Sequence, residues 1–62
     1  MRLKLSGSNY YFIRVEVIHF MSVQLTLTQF EDDAIVFTEE GAIKAGEFLA
    51  RLGFRFEPIK TP

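Results

Sequence analysis

The sequence contains no cysteine and no tryptophan, and it has one histidine and two prolines among 62 residues. Without cysteine the chain cannot form a disulfide, and without thiolates and with a single imidazole it lacks the ligands of a structural zinc site. Chains of this size usually need a disulfide, a metal or a partner to supplement a small core. Burial against a partner, either another protein or a second copy, is therefore the first expectation.

Long hydrophobic runs are also absent. No apolar stretch approaches the roughly 20 residues that span a bilayer, and the apolar start of the chain is interrupted at Ser6 and Gly7, too early for a secretory signal. Charge of one sign is lacking as well, because seven Lys and Arg stand against eight Asp and Glu, a balance that does not favour wholesale phosphate binding. These features predict a cytoplasmic chain without a membrane partner.

Apolar residues are abundant in spite of the short length, at 48% of the chain with 15% aromatic. This content excludes intrinsic disorder, which requires low hydrophobicity. The length predicts one domain covering residues 1–62, and folding of so short a chain hides only about 60% of its unfolded surface. A stability of roughly 3 to 9 kcal/mol is expected at this size.

Alternation of apolar and polar residues in the first half predicts antiparallel strands. Odd positions are mostly apolar through residues 11–17 and 23–27, and Leu3 and Leu5 form a short first strand of the same parity. The odd side is therefore predicted to face the core, with a three-residue turn at residues 7–9. The second connection contains no Gly, Asn, Asp or Pro to ease a turn. Two arrangements stay open: a bulged hairpin within one chain, which we favour, and a long bent ribbon shared with a second subunit.

An amphipathic helix is predicted between Thr38, its N-cap, and Gly53 just past its end. Gly46 lies at the edge of its apolar stripe and is interpreted as a point of close approach to the sheet. Residues 34–37 form a brief extended segment before the helix, and residues 54–57 form a last strand before a proline. The predicted fold is α+β: a single antiparallel sheet of about three to five strands with one helix packed on one face, in the order β-β-β-(β)-α-β.

Residues capable of catalysis are few and lack the spacing of known sites. His19 is predicted to point inward at a strand end, where a hydrogen-bonded structural histidine is favoured over a catalytic base. Ser6, Ser8 and Ser22 have no nucleophile-elbow context, and no phosphate-binding glycine loop is present. We therefore expect no enzymatic activity, no cofactor, no metal and no small-molecule substrate.

Five of the eight acids lie within residues 31–40, namely Glu31, Asp32, Asp33, Glu39 and Glu40. Their spacing matches no calcium loop. Glu39 and Glu40 are explained by the start of the helix, where the helix dipole favours anions. The other three are interpreted as a solvated turn or as a charged rim that docks on a basic surface of a partner.

The sheet face opposite the helix is predicted to carry aromatic and arginine side chains, because the even positions of the first strands point there. A contiguous patch of this kind is typical of protein interfaces. The residues predicted to contact a partner are Tyr10, Phe12, Arg14, Ile18, Phe20, Phe30, Glu31, Asp32 and Asp33. The expected function is a non-enzymatic interaction module, an inhibitor or adaptor that also forms a homodimer. A virus or mobile element, a toxin system and a host complex all stay open as its setting.

A second hypothesis uses the same face to bind single-stranded nucleic acid. Open sheets with aromatic platforms beside cations stack bases and neutralise phosphates. The residues assigned to this alternative are Arg2, Lys4, Tyr10, Phe12, Arg14 and Arg55. Glu16 and Glu57 interrupt the patch and no RNP-type motif is present, so the protein-binding hypothesis is preferred.

Overall fold

Four strands and one α-helix follow one another in the computed structural model, which describes residues 1–19 and 22–61. The strands are β1 (Arg2–Leu5), β2 (Tyr11–His19), β3 (Ser22–Thr28) and β4 (Phe56–Ile59), and the helix α1 spans Glu39–Arg51. A short 3-10 turn at Glu31–Asp33 separates β3 from the helix. All pairings are antiparallel within one sheet. The predicted α+β fold is confirmed, in the order β-β-β-α-β.

The strand order across the sheet is β3-β2-β1-β4, so β3 and β4 are its two edges. In the pairing of β1 with β4, Leu3 lies opposite Pro58 and Lys4 lies opposite Glu57. β4 begins later than the predicted residues 54–57 and includes the proline that was expected to end it. An edge strand tolerates proline because one side of its backbone needs no ladder partner.

The helix begins and ends as the sequence predicts. The hydroxyl of Thr38 accepts a hydrogen bond from the backbone N–H of Gly41 at 3.0 Å, and Gly53, just past the C-cap, has a φ of +95°. Both residues satisfy backbone groups that a helix terminus leaves unpaired. The close approach predicted at Gly46 is wrong, since a Cβ added there would meet no atom within 4 Å.

The core lies where the helix packs against β4 and β1. Leu3, Phe12, Ala42 and Leu49 are buried in one cluster. Half-buried apolar residues surround it: Met1, Val15, Leu25, Phe37, Ala45, Phe54 and Phe56. The ring of Phe12 lies 5.9 Å from that of Phe37 and meets the ring of Phe56 edge-on at 5.7 Å, measured between ring centroids. Such geometry lets aromatic rings fill a core without stacking face to face.

The turn between β1 and β2 is one residue longer than predicted, and this changes which side of β2 is buried. Leu5 donates its backbone N–H to the Tyr10 carbonyl at 2.8 Å, which leaves residues 6–9 as the loop. Lys4 then faces Tyr11, so the register places Phe12 beside Leu3 on the helix side. The placement of Phe12 on the open face is therefore wrong, because an even residue of β2 points inward here.

A β-bulge at Ile13 returns the rest of β2 to the predicted parity. Phe12 lies opposite Leu27 and Arg14 lies opposite Thr26, so β2 carries one residue more than β3 between these pairs. The extra residue turns the following side chains to the other face of the sheet. Val15 consequently packs toward the core, on the same side as Phe12.

Residues 34–37 do not form the predicted fourth strand before the helix. They connect β2 to the start of the chain instead, since Ile35 donates its backbone N–H to the Phe12 carbonyl at 3.4 Å and Phe37 donates to the Met1 carbonyl at 2.6 Å. Ala34 is buried at the start of this segment. The Met1 amino group donates back to the Phe37 carbonyl, and these three bonds, divided between Phe12 and Met1, are too few to make a ladder.

β2 and β3 pair within the chain, which confirms the predicted hairpin over the shared ribbon. A second bulge at Ile18 lets His19 pair with Ser22. The connecting residues, Phe20 and Met21, lie outside the described residues. In the described part of the chain, no helix has the length and apolar character needed to cross a membrane.

Candidate functional site

β3 forms an edge of the sheet and carries neither charge nor proline, and the two bulges of the hairpin lie on its partner β2. Its sequence, SVQLTLT, contains no charged residue and no proline over seven residues. Natural edge strands carry charges, prolines or strong bulges that stop another strand from pairing with them. The opposite edge, β4, has such protection in Glu57 and Pro58. The unpaired backbone of β3 is therefore available to a further strand.

Exposed apolar side chains lie beside this edge. Val17 and Val23 face each other across β2 and β3, and 61% and 36% of their surfaces are exposed. They continue the helix-side row of Val15 and Leu25, which packs on the core. The helix packs over β4 and β1 and does not reach this part of the hairpin. We call residues 16–19 and 22–24 the hairpin end, and all of them are exposed.

The face of the hairpin opposite the helix is polar. Arg14 and Glu16 form an ion pair at 3.1 Å and lie opposite Thr26 and Gln24 on β3. Farther along the same face, Tyr11 occupies the position between Lys4 and Thr28. The predicted aromatic surface loses Phe12, because the longer turn moves it into the core and brings Tyr11 to this face in its place.

The remaining predicted anchors are exposed but lie far apart. The Tyr10 hydroxyl accepts a hydrogen bond from the Gln29 side chain at 3.1 Å, and Phe30, the residue after Gln29, is exposed. Ile18 is exposed at the other end of β2, about 26 Å from Tyr10 at the rise of an extended strand. The described residues therefore do not form one continuous aromatic patch. Phe20, which was also predicted as an anchor, lies outside the described residues.

The acidic residues predicted as a rim form the short 3-10 turn, in which Glu31, Asp32 and Asp33 are all exposed. Glu31 lies 3.6 Å from the guanidinium of Arg2, whose side chain is only 13% exposed. A cation enclosed and paired in this way is not presented to a nucleic acid phosphate.

The other basic residues of the nucleic-acid hypothesis are spread over the sheet. Arg14 is paired with Glu16, and Lys4 lies between Glu57 on β4 and Tyr11 on β2. Arg55 is exposed just before β4. With Phe12 in the core, this geometry adds no support to base stacking, and the hypothesis stays a prediction.

The histidine expected inside the protein is exposed at the end of β2. His19 makes no side-chain hydrogen bond or ion pair to another described residue, so the inward placement is wrong. Within residues 1–19 and 22–61, no three His, Cys, Asp or Glu side chains are grouped so that they could hold a metal ion.

Sequence reasoning missed the exposed β3 edge and the exposure of Val17 and Val23. The sequence shows that β3 is uncharged, but this matters for binding only because the strand order places β3 at an edge of the sheet. Protein-family models, curated proteins and solved structures were all compared with this chain, and none of them matches it. The geometry of the sheet edge is accordingly the basis for assigning a function to this chain.

Proposed function

We propose that this chain is a non-enzymatic protein-protein interaction module, an inhibitor or adaptor, that binds its partner along the β3 edge. The observation that carries the proposal is the uncharged, proline-free edge strand with exposed apolar side chains beside it. An added strand would pair with the free backbone groups of β3, and its side chains would be selected by the two faces of the hairpin. Val23, Leu25 and Leu27 offer an apolar row on one face.

The polar face of β3 gives the partner strand its second set of contacts. Gln24, Thr26 and Thr28 alternate with the apolar row and point to the opposite face. Tyr10, Ile18 and Phe30, with the acidic 3-10 turn, remain candidate contacts for a partner that extends beyond the edge. A cytoplasmic setting remains part of the proposal.

The proposal is tested by blocking the edge with lysine. A tagged wild-type chain and a Gln24→Lys/Thr26→Lys variant are incubated with lysate of the source, with and without nuclease treatment, and retained proteins are identified by mass spectrometry. A lysine at position 24 lies opposite Glu16 and one at position 26 lies opposite Arg14, so one attractive and one repulsive pair offset each other within the chain. Far-UV circular dichroism checks that the fold is kept.

The matched control is Ser6→Lys/Ala50→Lys, which adds the same charge at exposed positions of a turn and of the helix. We expect a protein that the wild type and the control retain and that the edge variant retains at least about tenfold less. Equal retention by all three chains would show that the edge is not the binding site. Binding that disappears on nuclease treatment would instead favour the nucleic-acid hypothesis.

A further inference from the structure

We infer that a second copy of this chain occupies the β3 edge, which gives a two-fold symmetric dimer with one continuous eight-stranded sheet. The inference depends on the proposed function and names a second copy as the partner of that edge, which another protein could occupy only by displacing the copy. Two copies related by a two-fold axis perpendicular to the sheet pair their β3 strands antiparallel and carry both helices on the same face. The sequence of β3 is compatible with such a pairing with its own copy.

Centring the pairing on Leu25 gives a self-complementary register. On the helix side, Leu25 faces its own copy and Val23 faces Leu27 of the other copy. On the opposite side, Gln24 faces Thr26 and Ser22 faces Thr28 of the other copy. Apolar side chains therefore meet apolar ones and polar side chains meet polar ones at every position of the strand.

The backbone geometry accepts this register. In an antiparallel sheet, the residues whose N–H and C=O groups point away from β2 alternate along β3. Pairing centred on one residue brings odd positions against odd positions and even against even. Each outward-pointing residue of one copy therefore meets an outward-pointing residue of the other, whichever parity points outward.

Charge and core size both favour this occupant. β3 has no charged side chain and the whole chain has a net charge of −1, so two copies meet with little repulsion. Among residues 1–19 and 22–61, only Leu3 and Leu49 are large side chains that are fully buried. A chain with so small a core, no cysteine and no metal cluster among its described residues commonly gains stability by oligomerisation.

A charge exchange tests the dimer. One variant carries Gln24→Lys/Thr26→Lys and the other carries Gln24→Glu/Thr26→Glu. In the inferred register, position 24 of each copy faces position 26 of the other, so a dimer of either variant contains two pairs of like charges. Each variant alone is expected to be monomeric, and an equal mixture is expected to restore the dimer through opposite charges. Sedimentation equilibrium and light scattering are measured from about 1 μM to 1 mM, which spans weak association.

Amide hydrogen exchange of the wild-type chain keeps the test independent of how the variants fold. Raising the concentration is expected to slow exchange at alternate residues of β3, with no change in β4. The Ser6→Lys/Ala50→Lys chain serves again as control and is expected to dimerise like the wild type.

The outcomes separate this inference from the proposed function. A wild-type chain that stays monomeric to about 1 mM overturns the dimer. If that monomer still retains a lysate protein through β3, the proposed function stands without it. A wild-type dimer that both folded charge variants keep would show that the copies associate elsewhere. A mixture of monomeric variants that fails to re-form the dimer would overturn the register centred on Leu25.

Discussion

The two ends of β2 carry apolar side chains on the same face of the sheet, yet only one end belongs to the core. Phe12 is 6% exposed and packs on two other phenylalanines, whereas Val17 is 61% exposed. We call the first region the covered end, meaning Leu3, Phe12, Leu49 and Phe56, and compare it with the hairpin end defined above. The comparison teaches that alternation assigns a residue to a face, while the reach of the helix decides whether that face is buried.

Element lengths explain the difference. The helix has 13 residues and is about 20 Å long, whereas the nine residues of β2 extend about 30 Å. The helix packs over β4 and β1, and the hairpin continues past it. The longest dimension of the molecule is accordingly 37 Å, against 23 Å and 19 Å for the other two.

The largest effect is expected at the covered end, from Phe12→Ala. Removing a buried phenylalanine costs about 3 to 5 kcal/mol, which is comparable to the whole stability of roughly 3 to 9 kcal/mol expected at this length. The chain should be largely unfolded, or its urea midpoint strongly lowered, as followed by circular dichroism. Phe30→Ala, at an exposed phenylalanine, is the control and should change stability little. An unchanged midpoint in Phe12→Ala together with lost partner binding would restore the surface role that the sequence pattern suggested.

A smaller change of opposite sign is expected from Gly46→Ala in the helix that covers the core. The added methyl group meets no atom within 4 Å, and alanine is favoured over glycine in a helix interior by about 0.5 to 1 kcal/mol. The midpoint temperature of thermal unfolding should rise by a few degrees. Gly41→Ala is the matched control, because its methyl group would lie 3.0 Å from the Thr38 hydroxyl oxygen at the N-cap. A lower midpoint for Gly46→Ala would mean that the helix approaches a neighbour there after all.

The smallest effect is expected at the hairpin end, from Val17→Thr. The substitution keeps the shape of an exposed side chain and should alter the free energy of unfolding by less than about 0.5 kcal/mol. Val15→Thr makes the same change on the same face but places a hydroxyl against the core, where it should cost about 1 kcal/mol or more. Urea denaturation at low protein concentration measures both. Equal losses at the two positions would contradict the boundary drawn between the two ends.

Local features of the fold could be predicted from the sequence because neighbouring residues determine them. Thr38 and Gly53 mark the helix ends, and Gly7 takes the positive φ of +76° that the first turn requires. The order of the elements along the chain follows from the same kind of signal. The candidate anchors were less predictable, because they depended on the side to which each strand residue points.

That side could not be derived, because two single-residue irregularities change it. The turn at residues 6–9 shifts the parity of β2 once, and the bulge at Ile13 shifts it back. Neither has a strong local signal, and between them they bury only one predicted anchor, Phe12. Strand order was equally out of reach, since the pairing of β1 with β4 depends on contacts between distant parts of the sequence.

That distant pairing also sets the order in which the molecule can assemble. β2 and β3 are neighbours in the chain and can meet early, because closing a short loop costs little entropy. The pairing of β1 with β4, in which Leu3 lies opposite Pro58, closes a much longer loop and is expected to form later. The hairpin is therefore expected to form before β4 completes the other side of the sheet, and its uncharged edge is open from that stage onward.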